Sequence, residues 1–290
     1  MVTVLQRHSS AQGQPLFLCD VSPPRGGDLA PLERAIAVNA DFLCVAYAPG
    51  SSVRADPTVV AHLLLRKGCE VIFNIAVRDM NRLALQSHLL GADLLGLENL
   101  IVLRGDALKQ VGTSHFREVH DLRPSELLRS IRDLNNGLDF RGLALRAPTR
   151  FCLGSTLDLG RDSDDEIRLA QLKMQAGAQF FITQGLYDIF PIEQFLERYQ
   201  QHLGQSPDIP VFYGIQIPHL QGLSFSRIPH QVQRDLDQGR QGVEMALELA
   251  HQLLSVGINT FYLIPPILPG GRRDYHAAQQ VVGAFRPPRS

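Results

Sequence analysis

Leu172-Lys173-Met174-Gln175-Ala176-Gly177-Ala178-Gln179-Phe180-Phe181-Ile182-Thr183-Gln184 contains a complete joint of the fold. It reads as the tail of a helix, a glycine able to take the left-handed stop conformation, and a short apolar strand that closes on two polar residues. Working outward, the same joint recurs where Gly68 precedes Cys69, Gly96 precedes Leu97 and Gly257 precedes Ile258. Apolar runs predict eight strands, at 15–20, 41–47, 70–77, 100–104, 150–157, 179–184, 210–216 and 259–264. Helical patterns predict helices at 29–38, 56–67, 79–95, 124–135, 164–175, 191–202, 239–255 and 274–285. Asp56-Pro57 and Arg123-Pro124-Ser125-Glu126 read as two of the helix starts. Such alternation implies parallel strands joined by helical crossovers. Eight units in 290 residues fit a single α/β domain over 1–290, a (β/α)8 TIM barrel with a short N-terminal extension at 1–14. The rival, a doubly wound sheet holding a dinucleotide, calls for G-x-G-x-x-G after the first strand. The chain instead has Val21-Ser22-Pro23-Pro24-Arg25-Gly26-Gly27-Asp28 there, and its prolines forbid the tight turn that aims amides at a pyrophosphate.

Composition narrows the function classes. Hydrophobic residues make up 44% and charged ones 20%, with 28 Lys+Arg against 29 Asp+Glu and a net charge of −1. That balance excludes a disordered chain and a globally basic nucleic-acid binder. Cys19, Cys44, Cys69 and Cys152 lie far apart without C-x-x-C or Cys/His ligand spacing, so no metal site is expected. The cysteines inside apolar runs read as small buried hydrophobes. The N-terminus lacks a long apolar segment, and no stretch reaches the ~18 apolar residues of a membrane span, so a cytoplasmic protein is expected. Two loops, 107–123 and 218–238, are long enough to be either functional or solvated insertions.

A barrel of this kind gathers its chemistry at the C-terminal ends of the strands. Asp20, Asn74, Arg104, Asp106, Asp158, Thr183 and Gln184 fall there and form a convergent polar set, although a carboxylate at a strand end also caps turns. Asp20 sits among apolar neighbours, and burial of that kind suits a general acid. Asp106 follows Arg104-Gly105, an arrangement that keeps a carboxylate ionised and lets a ligand approach the backbone closely. Gln184 offers a donor and an acceptor on one planar amide, which suits the edge of a heterocycle. Lys173 reads by itself as a solvated helix residue.

Taken together, Asp20-Val21-Ser22-Pro23-Pro24-Arg25-Gly26, Arg78-Asp79-Met80-Asn81-Arg82-Leu83-Ala84-Leu85-Gln86-Ser87, Leu103-Arg104-Gly105-Asp106, Phe151-Cys152-Leu153-Gly154 and 173–184 resemble the methylenetetrahydrofolate reductase family. The resemblance implies a flavin-dependent barrel, with FAD or alternatively FMN, that reduces 5,10-methylenetetrahydrofolate to 5-methyltetrahydrofolate with NADH or NADPH. It implies a catalytic acid at Asp20, where the family has Glu, and pterin contacts at Asp106 and Gln184. Flavin contacts are implied at Tyr47, Asn74, Arg104, Gly105, Asp106 and Lys173. Homo-oligomers or a partner subunit are also implied. The chain departs from the family pattern at Ala46-Tyr47-Ala48, Asn74, Asp158-Leu159, Glu166, Leu169 and Leu172. These departures leave open a folate-binding paralogue without flavin, either inactive or catalysing another one-carbon reaction.

Overall fold

The computed structural model describes residues 1–105, 117–119, 121–224, 226 and 228–286. Eight parallel strands close in chain order: β1 (Leu16–Val21), β2 (Phe42–Val45), β3 (Val71–Ala76), β4 (Asn99–Leu103), β5 (Cys152–Leu157), β6 (Phe180–Leu186), β7 (Val211–Gln216) and β8 (Thr260–Ile264). Pairing of Leu18 with Tyr262 is part of the β1–β8 seam that completes the barrel. The intervening helices are α2 (Ala30–Ile36), α3 (Pro57–Arg66), α4 (Arg82–Leu94), α5 (Pro124–Asn135), α6 (Ser163–Ala176), α7 (Phe190–Leu203), α8 (His230–Asp237) and α9 (Gly242–Ser255), preceded by α1 (Val4–Ser10). A small antiparallel hairpin, β9 (Ile267–Leu268) and β10 (Arg272–Arg273), leads into α10 (Tyr275–Ala284). The expected barrel and all eight expected strands are present.

Alternation along the strands divides the core into two parts. Leu18, Phe42, Cys44, Ile72, Ile101, Phe180, Phe212 and Tyr262 fill the barrel axis, while Phe17, Phe73, Phe181, Ile215 and Phe261 pack outward beneath the helices. Gly154 is required inside. A Cβ there would lie 2.4 Å from the Phe180 ring and 2.8 Å from Ile101. The space left open lets Phe180 cross the axis edge-on to Phe212, with centroids 6.2 Å apart.

Residues 1–14, expected as an extension, hold α1, which seals the N-terminal end of the barrel. Thr3 and Gln6 form its capping box. The Val4 N–H donates to Asn99 Oδ1 at 2.9 Å, and Asn99 Nδ2 donates to Val2 O at 3.0 Å, seating Val4 in the axial cluster. Helix starts also differ from expectation. The helix expected from 79 starts at Arg82, because Asn81 Oδ1 accepts the Ala84 N–H at 2.9 Å as its N-cap. The loop expected at 218–238 contains α8, whose Val232 and Leu236 are buried one turn apart.

Candidate active site

The C-terminal mouth of the barrel gathers most of the polar residues singled out above, and Asp20 lies deepest among them. It is 3% exposed near the end of β1. Besides the expected apolar neighbours it has two polar partners. The Tyr262 hydroxyl on β8 donates to Asp20 Oδ1 at 2.8 Å, and Arg273 Nη2 lies 2.5 Å from Oδ2. The second contact is ionic, since Oδ2 accepts no aligned hydrogen bond. Arg273 also donates through Nε to Ser22 Oγ at 3.0 Å, while the Tyr275 hydroxyl accepts the Ser22 N–H at 3.2 Å. The hairpin and α10 thus grip the β1 terminus. Burial, then the charge of Asp20, holds the Tyr262 hydroxyl well above its ordinary value, so it remains a donor.

Gln184 reaches the mouth through an irregularity. Ile182 pairs with Phe212, but Gly185 pairs with Gly214, so β6 contains one extra residue relative to β7. Thr183 Oγ1 accepts the Gly214 N–H at 2.7 Å within the bulge. Gly185 faces Gly214, and Gln184 is turned toward the loop after β5. There its Oε1 accepts the Leu159 N–H at 2.9 Å. Asn74 is 6% exposed, and its Oδ1 accepts a 3.5 Å hydrogen bond from Cys44 Sγ. Gln216, which sequence reasoning passed over, is buried at the end of β7, with Nε2 donating to Ile217 O and Ile264 O at 3.2 and 3.3 Å.

Beside the axis, a cavity of about 780 Å³ opens between the ends of β3, β4 and β5 and helices α5 and α6. Val77, Leu122, Leu169 and Leu172 give it apolar walls, and Arg104, Arg161, Glu166 and Lys173 line it with charge. Arg104 is exposed. Lys173, expected to offer a cation to a phosphate, donates through Nζ to Thr156 O at 2.6 Å and lies 3.4 Å from Glu166 Oε1. Burial lowers the Lys173 pKa, and Glu166 partly offsets the shift. Glu166 is itself 1% exposed and also faces Arg161 Nε at 3.5 Å. Gly105, expected to admit a ligand, lines the cavity with a φ of +88°, and the Arg78 and Ala76 side chains would sit 3.0 and 3.3 Å from a Cβ there.

Tyr47 stands at the rim rather than in the cavity lining. Burial and its hydrogen bond to Asp79 raise its hydroxyl pKa, and Asp79 is in turn forked by Arg78 at 2.7 Å through both Nε and Nη2. Asp106 lies outside the described residues, as does most of the loop expected at 107–123. Asp20 and Asn74 therefore face the axial mouth, joined through Cys44, while Gln184 stands beside it against the loop after β5; Arg104, Gly105 and Lys173 line the adjoining cavity, and Arg273 and Tyr262 complete the surroundings of Asp20. Among the described residues no cluster of three potential metal ligands occurs, and no helix is long and apolar enough to cross a membrane.

A closed barrel with a polar axial mouth and an adjoining cavity defines a small-molecule site of the (β/α)8 class. Residues 5–265 match the family model described as methylenetetrahydrofolate reductase, and the chain belongs to that family. It is 26% identical over 240 residues to methylenetetrahydrofolate reductase 1 of Schizosaccharomyces pombe, covering 74% of this chain and 36% of that one. It is 24% identical over 269 residues to a probable methylenetetrahydrofolate reductase (NADPH) of Caenorhabditis elegans, covering 84% of this chain and 39% of the other. The chain thus spans under two-fifths of the length of these curated relatives. A solved structure described as an uncharacterized protein from Clostridium thermocellum that binds two copies of 5-methyl-5,6,7,8-tetrahydrofolic acid shares the fold, with a TM-score of 0.66 and 14% identity over 96% of this chain and 97% of that one.

Proposed function

We propose that the chain is an oxidoreductase that reduces 5,10-methylenetetrahydrofolate to 5-methyltetrahydrofolate, drawing on a flavin and on NADH or NADPH. The observation that carries this reading is a cavity of about 780 Å³ at the C-terminal end of the barrel, with Asp20, Asn74 and Gln184 on strands of that barrel, in a chain of this family. Folate binding in the structural neighbour adds support. The cavity's chemistry fits a flavin: leucines and Val77 suit an aromatic ring system, and exposed Arg104 suits one phosphate. The second phosphate of FAD finds less, because Lys173 is occupied by Glu166. FAD is the first candidate and FMN the alternative. A bound flavin would supply hydride transfer between nicotinamide and folate.

The chain's own residues handle the rest. Before hydride can reach the one-carbon unit, the folate's five-membered ring must open, which requires a proton at N10. Asp20, the carboxyl group near the end of β1, is assigned the delivery of that proton. Tyr262 fixes Oδ1, and Arg273 stabilises the carboxylate left behind. Gln184 keeps its Nε2 hydrogens for the pterin while Leu159 orients its carbonyl. Asp106 is assigned to the same ring, and a homo-oligomer or partner subunit is expected.

The test is purification, a flavin absorbance spectrum and an assay of 5-methyltetrahydrofolate oxidation with an artificial acceptor. Yellow protein that oxidises the folate supports the reading. Colourless protein that takes up neither FAD nor FMN, yet binds tetrahydrofolate, would replace it with a folate-binding paralogue, a second reading favoured by the occupied Lys173.

A further inference from the structure

Gln216 ends β7 on the inward face that it shares with Phe212 of the axial cluster and with Gly214. It is 3% exposed. Both Nε2 hydrogens are spent, on Ile217 O and Ile264 O at 3.2 and 3.3 Å. Those two carbonyls lock the amide, because a flipped group would set Oε1 against two acceptors. Oε1 is therefore an acceptor of fixed direction, and none of the described residues donates to it. Nor is it sealed in the core, where the atoms closed off without a partner are Arg7 Nε, Asp20 Oδ2, Asn39 Oδ1 and Arg273 Nη1. The space in front of it is clear: a Cβ on Gly185 would lie 3.2 Å from Oε1 and 3.0 Å from both Gln216 Cβ and Ile264 Cδ1. A carbonyl oxygen held this deep without a donor is costly, and its rigid footing keeps it from turning to find one.

Strand register relates this oxygen to Asp20. Gln216 pairs with Ile264, and the neighbouring Leu263 pairs with Cys19, so Gln216, Ile264 and Asp20 stand on one rung of the barrel. Two strand spacings set the Cα atoms of Gln216 and Asp20 roughly 10 Å apart, and both side chains point inward to narrow that gap. We infer that Gln216 is a specificity-determining residue whose Oε1 accepts the N8–H of a reduced pterin, so that the mouth reads the oxidation state of the ring. The inference rests on the folate reading above, with N10 at Asp20. N10 connects to N8 through C9, C6 and C7 alone, a span that fits one rung. Tetrahydropterins and 7,8-dihydropterins carry a hydrogen on N8. In the fully oxidised ring N8 is a bare lone pair, which would face Oε1 acceptor to acceptor. A site built around a hydrogen bond rejects the analogue that lacks it far more strongly than an apolar pocket does. The 5,10-methylene and 5-methyl forms both keep N8–H, so Gln216 holds substrate and product alike while excluding fully oxidised folate.

The experiment is calorimetric binding of 7,8-dihydrofolate and folic acid, which share the N5=C6 double bond and differ at C7 and N8. Tetrahydrofolate and its 8-deaza analogue form a second pair. The unmodified protein should bind 7,8-dihydrofolate about tenfold more tightly than folic acid, and replacing N8–H by carbon should weaken tetrahydrofolate by a similar factor. Gln216→Met keeps the side chain's length and removes the acceptor, so both ratios should fall to about one. Gly185→Ala, which sets a methyl in front of Oε1, should lower them too, and decides the matter where Gln216→Met does not fold. A purely structural role for Gln216 would weaken all four ligands alike and leave the ratios standing. Ratios that survive in this way, or equal affinity within either pair in the unmodified protein, would overturn the inference while leaving folate binding intact. If no pterin binds at all, the folate reading fails and the inference falls with it.

Discussion

The two ends of the barrel treat their buried polar groups in opposite ways. At the N-terminal end Asn99 is consumed by the chain itself, with its carbonyl on the Val4 N–H and its amide on Val2 O and Val71 O. Glu70 takes the Val2 N–H at 2.9 Å. At the mouth, full charges are buried instead: Asp20 against Arg273, and Glu166 against Lys173. Buried ion pairs are weak sources of stability, because desolvation offsets most of their attraction. An amide network beneath an apolar axis holds the scaffold, and the costly charges are concentrated at the C-terminal mouth.

The sharpest way to break this comparison is Asp20→Asn. Folate reduction should fall by about a thousandfold or more, while reduction of bound flavin by the nicotinamide continues. Equal loss of both half-reactions would remove Asp20 from the proton path. The same change removes the negative charge opposite Arg273, whose Nε still donates to Ser22 Oγ, costing about 3–5 kcal/mol in urea unfolding. Adding Arg273→Met should restore most of that stability but not the activity. At the opposite end, Asn99→Ala should cost about 2–3 kcal/mol of stability by freeing buried backbone groups, with folate affinity per folded molecule unchanged. A matching loss of affinity would mean that the two ends are coupled.

Smaller effects sharpen the contrast. Gln184→Leu should weaken folate binding by about 1–3 kcal/mol in calorimetry, with the loss attributable to an unpaired buried partner. Cys152 lies in the axial cluster with partly buried Leu5, and burial raises its thiol pKa from 9.0 to about 11. A pKa raised on folding gives stability that is complete below pH 9.0 and is lost as pH climbs to about 11. Chemical unfolding across that window should show the decline, and Cys152→Ala should flatten it. Last, Glu166→Gln should release Lys173 for a phosphate and slow FAD dissociation about tenfold, measured by flavin fluorescence. Unchanged retention would mean that Lys173 does not face the cofactor.

The eight strands were legible because burial on both faces leaves continuous apolar runs such as Leu100-Ile101-Val102-Leu103. Helix ends were less so. Asn81 and Gly242 set theirs through contacts outside their own helices' periodicity, and at Gly242 a Cβ would lie 1.8 Å from Pro218 O. α1 and α8 are short and mostly polar, so their few buried positions gave little period to read. At the candidate site, strand-end position singled out Asp20 and Gln184, but nothing near Asp20 in sequence announces Tyr262, 242 residues away. Arg273 sits in a two-residue strand after a turn, where an arginine ordinarily reads as solvated. Lys173 was legible as a cation, yet its occupation by Glu166 depends on a fold in which both side chains point into one cavity.

The extra residue in β6 sets the phase of everything beyond it. Inward and outward positions alternate like odd and even numbers, and the bulge between Ile182 and Gly185 changes the parity once. Deleting one codon there would move Gln184 into the place opposite Gly214 that Gly185 now holds, where a side chain is crowded: a Cβ at Gly185 would already lie 3.0 Å from both Gln216 Cβ and Ile264 Cδ1. For this stretch of the gene, then, a one-residue deletion should be tolerated less well than any conservative substitution, and natural length variation should avoid 182–185 while falling freely in the loops on either side.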